Sequence, residues 1–329
     1  MDCSIEHMSS EPHGAPGKNE WYMTASNPNP SVSSWWRSTI SHLRIKNTLH
    51  VAPVVLFAIS QNPSLSVQGT ILTVVILHLF IFPASVGYNS YFDKDTKPTG
   101  GIKEPLPVHK SLYWVATLLE LSAVGLSLLV NTSFLICILI TIVASRFYSH
   151  PAIRIKAKPI VGYLWVAFFQ GGYSYVMVHL GIASDPAEAL LQVPTSQVLL
   201  PAAFCCFLVG GSYPLSQIYQ FEEDKERGDI TIAIVMGYTG TFVLCLASLV
   251  IGYGFVAAYF LTWSQPSHLL ILTALFSAPC LFVAWWFKQV HTDVGHANHD
   301  NAMRMAKISG LFGNLAFIIL WALNHSNPS

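Results

Sequence analysis

Long apolar segments separated by short polar ones run through almost the whole chain. Most of these segments are near the ~20 residues that a helix needs to cross a bilayer. Only 10% of the residues are charged, against about 25% in an ordinary soluble domain. The pattern predicts an all-α polytopic membrane protein with about nine transmembrane helices. The predicted segments are residues 43–60, 67–89, 111–130, 133–149, 160–182, 197–219, 232–262, 267–287 and 305–323.

The basic residues predict the orientation of these segments, because lysine and arginine collect in cytoplasmic loops. They lie in every second loop, whereas the loops near Asn62, Asn131, Asp185 and Ser264 contain none. The amino terminus is therefore expected in the cytoplasm and the carboxyl terminus across the membrane, with the endoplasmic reticulum as the expected location. Residues 1–36 are polar and rich in proline, serine and asparagine, so they are predicted to form a disordered cytoplasmic tail before a transmembrane domain of residues 37–329.

Two segment ends on the predicted cytoplasmic side carry groups of oxygen side chains. Asn89 and Asp93 are four residues apart, and so are Gln220 and Asp224, which places each pair on one face of a helical turn. Carboxylate and amide oxygens are suitable ligands for Mg²⁺. The predicted metal ligands are Asn89, Asp93, Asp95, Gln220, Glu223 and Asp224.

Basic side chains on the same side suggest that this metal would serve a diphosphate. An allylic diphosphate ionises only when cations neutralise the leaving group and an apolar cavity shields the carbocation. We expect Asp93, Asp224 and Asn89 to be catalytic. The predicted diphosphate-binding residues are Lys94, Tyr148, Arg154, Lys158, Lys225 and Arg227. The alternative is that these charges only mark solvated helix ends, and that the basic turn holding Tyr148 and Arg154 only sets the topology.

One acidic residue, Glu120, lies in the middle of a predicted membrane segment. A carboxyl group in that position is costly unless it meets a partner or water. We expect it to be neutral and hydrogen-bonded between helices, in preference to a catalytic role.

The motifs resemble those of the UbiA superfamily of intramembrane prenyltransferases over nearly the whole chain. The family's first pattern, Asn-Asp-x-x-Asp-x-x-x-Asp, corresponds here to Asn89, Ser90, Asp93 and Lys97, and its second, Asp-x-x-x-Asp, to Gln220 and Asp224. The family's Gly-x-x-Thr-(x)₅-Gly element is similar to Gly228, Thr231 and Gly237.

This chain departs from the family pattern at three acidic positions, which are occupied by Ser90, Lys97 and Gln220. Asp95, Glu222 and Glu223 lie nearby and could take over some of the coordination. The resemblance therefore implies an altered metal site that still binds Mg²⁺.

The resemblance implies a helical bundle with a cytoplasm-facing active-site cavity that binds Mg²⁺ and an isoprenoid diphosphate. The chain looks most like the fungal branch of the superfamily that ionises farnesyl diphosphate and cyclises it to a sesquiterpene in secondary metabolism, with β-trans-bergamotene as the implied product. The alternative within the superfamily is transfer of the prenyl group to an aromatic acceptor.

A transporter with acidic gates is the non-enzymatic alternative. The expected partners are the substrate and the lipid bilayer, with no nucleic acid. The sequence leaves the proton-removing base open, and the leaving diphosphate is one candidate.

Overall fold

The computed structural model describes residues 32–326, and the side chains from residue 35 onward. This part of the chain is helical and contains no strand. The helices are α1 (Val32–Leu43), α2 (Ala52–Gln61), α3 (Val67–Asp93), α4 (Lys110–Ser127), α5 (Thr132–Ser149), α6 (Pro159–Val166), α7 (Tyr173–Ile182), α8 (Pro186–Gln192), α9 (Ser196–Ser212), α10 (Phe221–Glu226), α11 (Ile232–Thr262), α12 (Pro266–Thr292) and α13 (His299–Ser326). Residues 1–31 of the predicted tail lie outside the described residues.

Six helices are long and apolar enough to cross a membrane: α3, α5, α9, α11, α12 and α13. The other predicted spans correspond to α2, which has only 10 residues, to α4, and to α6 and α7, which a π-helical turn at Ala167–Gly172 separates. An integral membrane protein is therefore supported by six apolar helices, and the number of nine crossings stays a prediction.

The helices pack around aromatic side chains in the centre of the bundle. Phe57 of α2 is fully buried, and its ring contacts the rings of Tyr175, Phe204, Phe260 and Phe317 at centroid distances of 4.7 to 6.4 Å. These rings come from five different helices. Since aromatic pairs contribute packing energy beyond the area that they bury, this cluster fixes the helices relative to one another.

Glu120 lies inside this bundle and is hydrogen-bonded between helices, as we expected, but its partner is a base. Its carboxylate forms an ion pair with Arg146 of α5, and the guanidinium also donates to Thr117 at 3.0 Å. The same guanidinium lies over the Tyr88 ring, 3.9 Å from its centroid. The carboxyl group therefore meets a charged partner, and the interaction joins α3, α4 and α5 directly below the end of α3.

Three loops meet at one end of the bundle, after α3, after α5 and after α9. Lys94 ends α3 in the left-handed conformation, and the turn after α5 continues into a 3₁₀ helix at Ile155–Ala157. Gly228 and Gly237 both have positive φ, at 76° and 65°; Gly228 precedes α11, and Gly237 interrupts the helix near its start with a kink. Glycine adopts this backbone region without strain, which explains why the glycine-containing motif stands at the entry to α11.

Candidate active site

The two acidic segments, more than one hundred residues apart in sequence, lie against each other. The backbone N–H of Thr96 donates to Glu223 at 3.2 Å, and Asp95 forms an ion pair with Arg227. Gln220 donates from its side chain to Thr99 at 3.2 Å. The fold thus brings the ends of α3 and α9 together as the sequence motifs predicted.

Asn89 and Asp93 form one half of the site on the last turn of α3. The Asn89 amide donates to the Asp93 carboxylate at 2.8 Å, as their spacing of four residues allows. Its carbonyl oxygen accepts from Ser149 at 2.9 Å and from Lys156 at 3.1 Å. Lys156 also forms an ion pair with Asp93. These contacts turn the amide oxygen of Asn89 toward Lys156 and its amide nitrogen toward Asp93.

Arg227 occupies the centre of the other half. It pairs with Asp95, donates to Asp224 at 2.6 Å and lies 3.7 Å from Glu223 and from Asp229. Burial raises the pKa of Asp224 to about 6, although the hydrogen bond and charge of Arg227 oppose the change. Burial alone would lower the pKa of Arg227, but the surrounding carboxylates outweigh it and the pKa is raised. Arg227 therefore stays charged and holds the acidic groups together.

Arg154 connects the turn after α5 to the start of α11. It donates two hydrogen bonds to Asp229, at 2.6 and 2.7 Å, and lies 3.5 Å from Asp93. The hydrogen bond to Asp229 is the main reason that the pKa of Arg154 is raised. A bidentate ion pair of this kind constrains the orientation of the guanidinium as well as its distance from the carboxylate.

The three positions that depart from the acidic pattern have different surroundings. Ser90 accepts a hydrogen bond from Arg44 at 3.2 Å. Gln220 lines the pocket and contacts Thr99. Lys97 is exposed and pairs with Glu226 at 3.3 Å. Two of the three replacements are therefore part of the site, whereas Lys97 lies outside it.

These side chains surround a polar pocket of about 190 Å³. Its lining residues are Arg44, Asn89, Asp93, Asp95, Thr99, Gly100, Tyr148, Lys156, Tyr213, Ser216, Gln217, Tyr219, Gln220, Asp224, Arg227, Asp229, Thr231 and Met303. Within it, the hydroxyl groups of Tyr148 and Tyr213 lie 2.6 Å apart.

An apolar chamber of about 270 Å³ adjoins the polar pocket. Tyr213, Ser216 and Met303 line both spaces. The chamber extends from there between α9, α11, α12 and α13, with Leu249 and Phe276 in its wall. A charged head and an apolar tail of a single ligand would therefore fit on opposite sides of this shared boundary.

The structure separates the predicted residues into two groups. Asn89, Asp93, Asp95, Gln220, Asp224, Tyr148 and Arg227 line the polar pocket, while Glu223 and Arg154 contact its lining residues. Lys94, Lys158 and Lys225 do not line it, and all three are exposed. Their expected role in binding diphosphate has no support in this geometry. The neighbouring bases Lys156 and Arg227 line the pocket instead.

Sequence reasoning did not assign Arg44, Tyr213 and Asp229 to the site, and it counted Lys156 only among the bases on the same side of the membrane. Lys156 stands in the basic turn and Asp229 follows the motif residue Gly228, so a signal for these two was present. Arg44 reaches Asp95 at 3.8 Å from a different part of the chain. Nothing in its local sequence distinguishes it from a base that sets the topology.

The donor set fits a hard cation and an anionic ligand, although the acids are not gathered into a closed metal cage. Among residues 32–326, no group of three histidine, cysteine, aspartate or glutamate side chains is arranged to hold a metal ion. Basic side chains stand between the carboxylates instead. Several buried polar atoms of the site nevertheless have no hydrogen-bond partner: Glu223 Oε2, Gln217 Oε1, Thr231 Oγ1, Arg44 Nε and Arg227 Nε. Buried polar groups of this kind are normally satisfied, so both oxygen ligands and cationic donors are available here.

Comparisons with known proteins identify the family and the fold. The sequence pattern of the UbiA prenyltransferase family matches residues 50–311. A UbiA homolog from Aeropyrum pernix K1 is similar in structure, with a TM-score of 0.62 and 16% identity over 84% of this chain and 98% of that one. A UbiA homolog from Archaeoglobus fulgidus bound to DMAPP and Mg²⁺ has a TM-score of 0.60 and 15% identity over 87% and 99%. No curated protein matches the sequence.

Proposed function

The chain belongs to the UbiA prenyltransferase family, and from this we propose that it is a Mg²⁺-dependent membrane enzyme that ionises farnesyl diphosphate and cyclises it to a sesquiterpene hydrocarbon. β-trans-Bergamotene is the expected product. The observation that carries the proposal is that the charged pocket and the apolar chamber adjoin and share Tyr213, Ser216 and Met303 as lining residues. A cyclase requires both spaces for one molecule of substrate.

Asn89, Asp93 and Asp224 would hold Mg²⁺, with Gln220 and Glu223 beside them. The similar structure from Archaeoglobus fulgidus is also known bound to GPP and Mg²⁺, which supports this choice of cofactor. When bound, Mg²⁺ neutralises charge on the leaving diphosphate. Asp95 contacts Arg44 and Arg227, so its own role is to orient these two guanidinium groups.

The basic residues of the pocket bind the diphosphate. Lys156 and Arg227 are held by carboxylates on the inner side of the site, and Arg44 approaches from the loop after α1. Preorganised cations of this kind stabilise charge that develops as the bond to carbon breaks. The Tyr148 and Tyr213 hydroxyl pair offers further hydrogen bonds at the boundary with the chamber.

The chamber excludes water while the carbocation rearranges. Its wall is mainly aliphatic, with the rings of Tyr213 and Phe276 among the lining groups. Ring faces stabilise cations by their negative quadrupole. Ring closure onto a double bond of the same chain is then favoured over capture by solvent.

A second candidate is transfer of the prenyl group to an aromatic acceptor. Polar side chains in the chamber wall, Gln170, Ser212 and Ser309, favour this candidate because they could hydrogen-bond an acceptor. This reaction would consume the acceptor in proportion to the diphosphate released, whereas cyclisation needs no acceptor.

The test uses microsomes that contain the full chain, farnesyl diphosphate and Mg²⁺ without an acceptor. Volatile products are identified by gas chromatography and mass spectrometry, with boiled membranes and the Asp93→Ala variant as controls. A hydrocarbon that depends on Asp93 supports cyclisation. No hydrocarbon, but a prenylated phenol when a phenolic acceptor is added, would support the transferase and refute the cyclase. Product formation by Asp93→Ala at the full rate would refute the assignment of the site.

A further inference from the structure

Among residues 32–326, the wall of the apolar chamber contains one imidazole side chain. This is His50, the last residue of the 3₁₀ helix Ile45–His50. The other ionisable groups in the wall are Tyr213, Cys245 and Cys280. Tyrosine and cysteine are ordinarily protonated at pH 7, whereas an imidazole is largely neutral and has a free lone pair.

The His50 ring is held against α13 by close packing. A β-carbon on Gly310 would lie 3.0 Å from Nδ1, so the glycine leaves room for the ring. The carbonyl of the adjacent Leu49 accepts a hydrogen bond from Asn314 of α13 at 3.1 Å. Close packing and this hydrogen bond fix the position of Leu49 and His50 against α13.

The neighbours of His50 in the chamber wall connect it to the reaction site. Met303, Ala306 and Ser309 lie on α13, and all three line the chamber beside His50. Met303 also lines the polar pocket. The imidazole thus stands in the space that the prenyl tail would occupy, while the diphosphate would be held across the boundary among carboxylates and bases.

On the basis of the proposed cyclase function, we propose that His50 is the catalytic base that ends the reaction by removing a proton from the cyclised carbocation. A C–H bond next to the cationic carbon breaks, and its electron pair forms the double bond of the hydrocarbon. The proton passes to the free ring nitrogen of His50. The resulting imidazolium returns the proton to water when the neutral product leaves, so no other reactant is consumed.

The test compares His50→Gln, which removes the base, with His50→Glu, which supplies a different one. Each full-length variant is assayed in microsomes with farnesyl diphosphate and Mg²⁺, and both diphosphate release and the hydrocarbon profile are measured. His291→Gln is the matched control, because His291 is exposed and lies outside the chamber lining.

We expect His50→Gln to release diphosphate at close to the normal rate. The amount of the normal hydrocarbon should fall by a factor on the order of 100. Other isomers or alcohols should replace it. His50→Glu should restore part of the normal profile, and His291→Gln should leave it unchanged.

An unchanged hydrocarbon profile in His50→Gln would overturn the proposal and leave the diphosphate as the base. Loss of diphosphate release in both His50→Gln and His50→Glu would also overturn it, because His50 would then be needed before proton loss. The absence of any hydrocarbon from the unsubstituted protein would instead refute the cyclase function itself.

Discussion

Arg154 binds Asp229 through two parallel hydrogen bonds of 2.6 and 2.7 Å, and the same guanidinium lies only 3.5 Å from Asp93. The two partners are 75 residues apart in sequence. Asp229 is buried and lies closer to the guanidinium of Arg154 than Asp93 does. It therefore holds Arg154 in place and keeps it from pairing more closely with Asp93.

Asp229→Asn should raise the Mg²⁺ concentration required for half-maximal activity. Without its charged partner, Arg154 would pair more closely with Asp93 and compete with the metal there. We expect an increase of about tenfold, which corresponds to about 1.4 kcal/mol. The measurement is a Mg²⁺ titration of product formation. Asp300→Asn is the control, because Asp300 is exposed and paired with Lys103; identical Mg²⁺ curves for the two variants would disprove this role of Asp229.

Lys156→Met should reduce turnover far more than Lys158→Met. Lys156 is buried and contacts Asn89 and Asp93, whereas Lys158 is exposed. Loss of one charge-assisted contact in a buried site costs about 1.5 to 3 kcal/mol, or roughly 10-fold to 100-fold in rate. The initial rate at saturating Mg²⁺ measures this difference. A greater loss in Lys158→Met would restore our original assignment from sequence.

Much of the site could be predicted because its acids stand at the ends of apolar segments. Asn89, Asp93 and Asp224 are near in sequence to changes in hydropathy, and helical spacing predicts their common faces. The positions of Lys156 and Lys158 could not be distinguished in the same way. They are two residues apart in an irregular turn, and only the path of the backbone decides which of them turns inward.

An apolar cavity was expected, but the residues that line the apolar chamber could not be predicted, for a related reason. Tyr213 and Phe276 are far apart in the chain, and every predicted helix contains apolar side chains that could face either lipid or a cavity. Periodicity does not separate these two environments when a helix is apolar on all sides.

The partner of Glu120 was missed because Arg146 appeared to belong to a basic loop.

Glu120→Leu should destabilise the protein by about 3 kcal/mol, since it leaves Arg146 largely buried without its partner. The double variant Glu120→Leu with Arg146→Met should recover most of this stability. Replacing a buried ion pair by two apolar side chains of similar size costs little stability, because no charge is left buried without a partner. Thermal unfolding in detergent, followed by size-exclusion chromatography, gives the order of stability. A double variant no more stable than Glu120→Leu would show that the two side chains are not energetically coupled.

Cys280→Trp should lower turnover of farnesyl diphosphate more than turnover of geranyl diphosphate. Cys280 of α12 lines the apolar chamber, so a larger side chain there would shorten the space available to the longer tail. Overfilling a packed space typically costs about 1 to 3 kcal/mol, and we expect the ratio of kcat/KM for the two substrates to fall by about tenfold. Leu281→Trp is the matched control, because Leu281 is the next residue and is 70% exposed outside the chamber. If Cys280→Trp and Leu281→Trp changed the ratio equally, the chamber would not be the binding site of the prenyl tail.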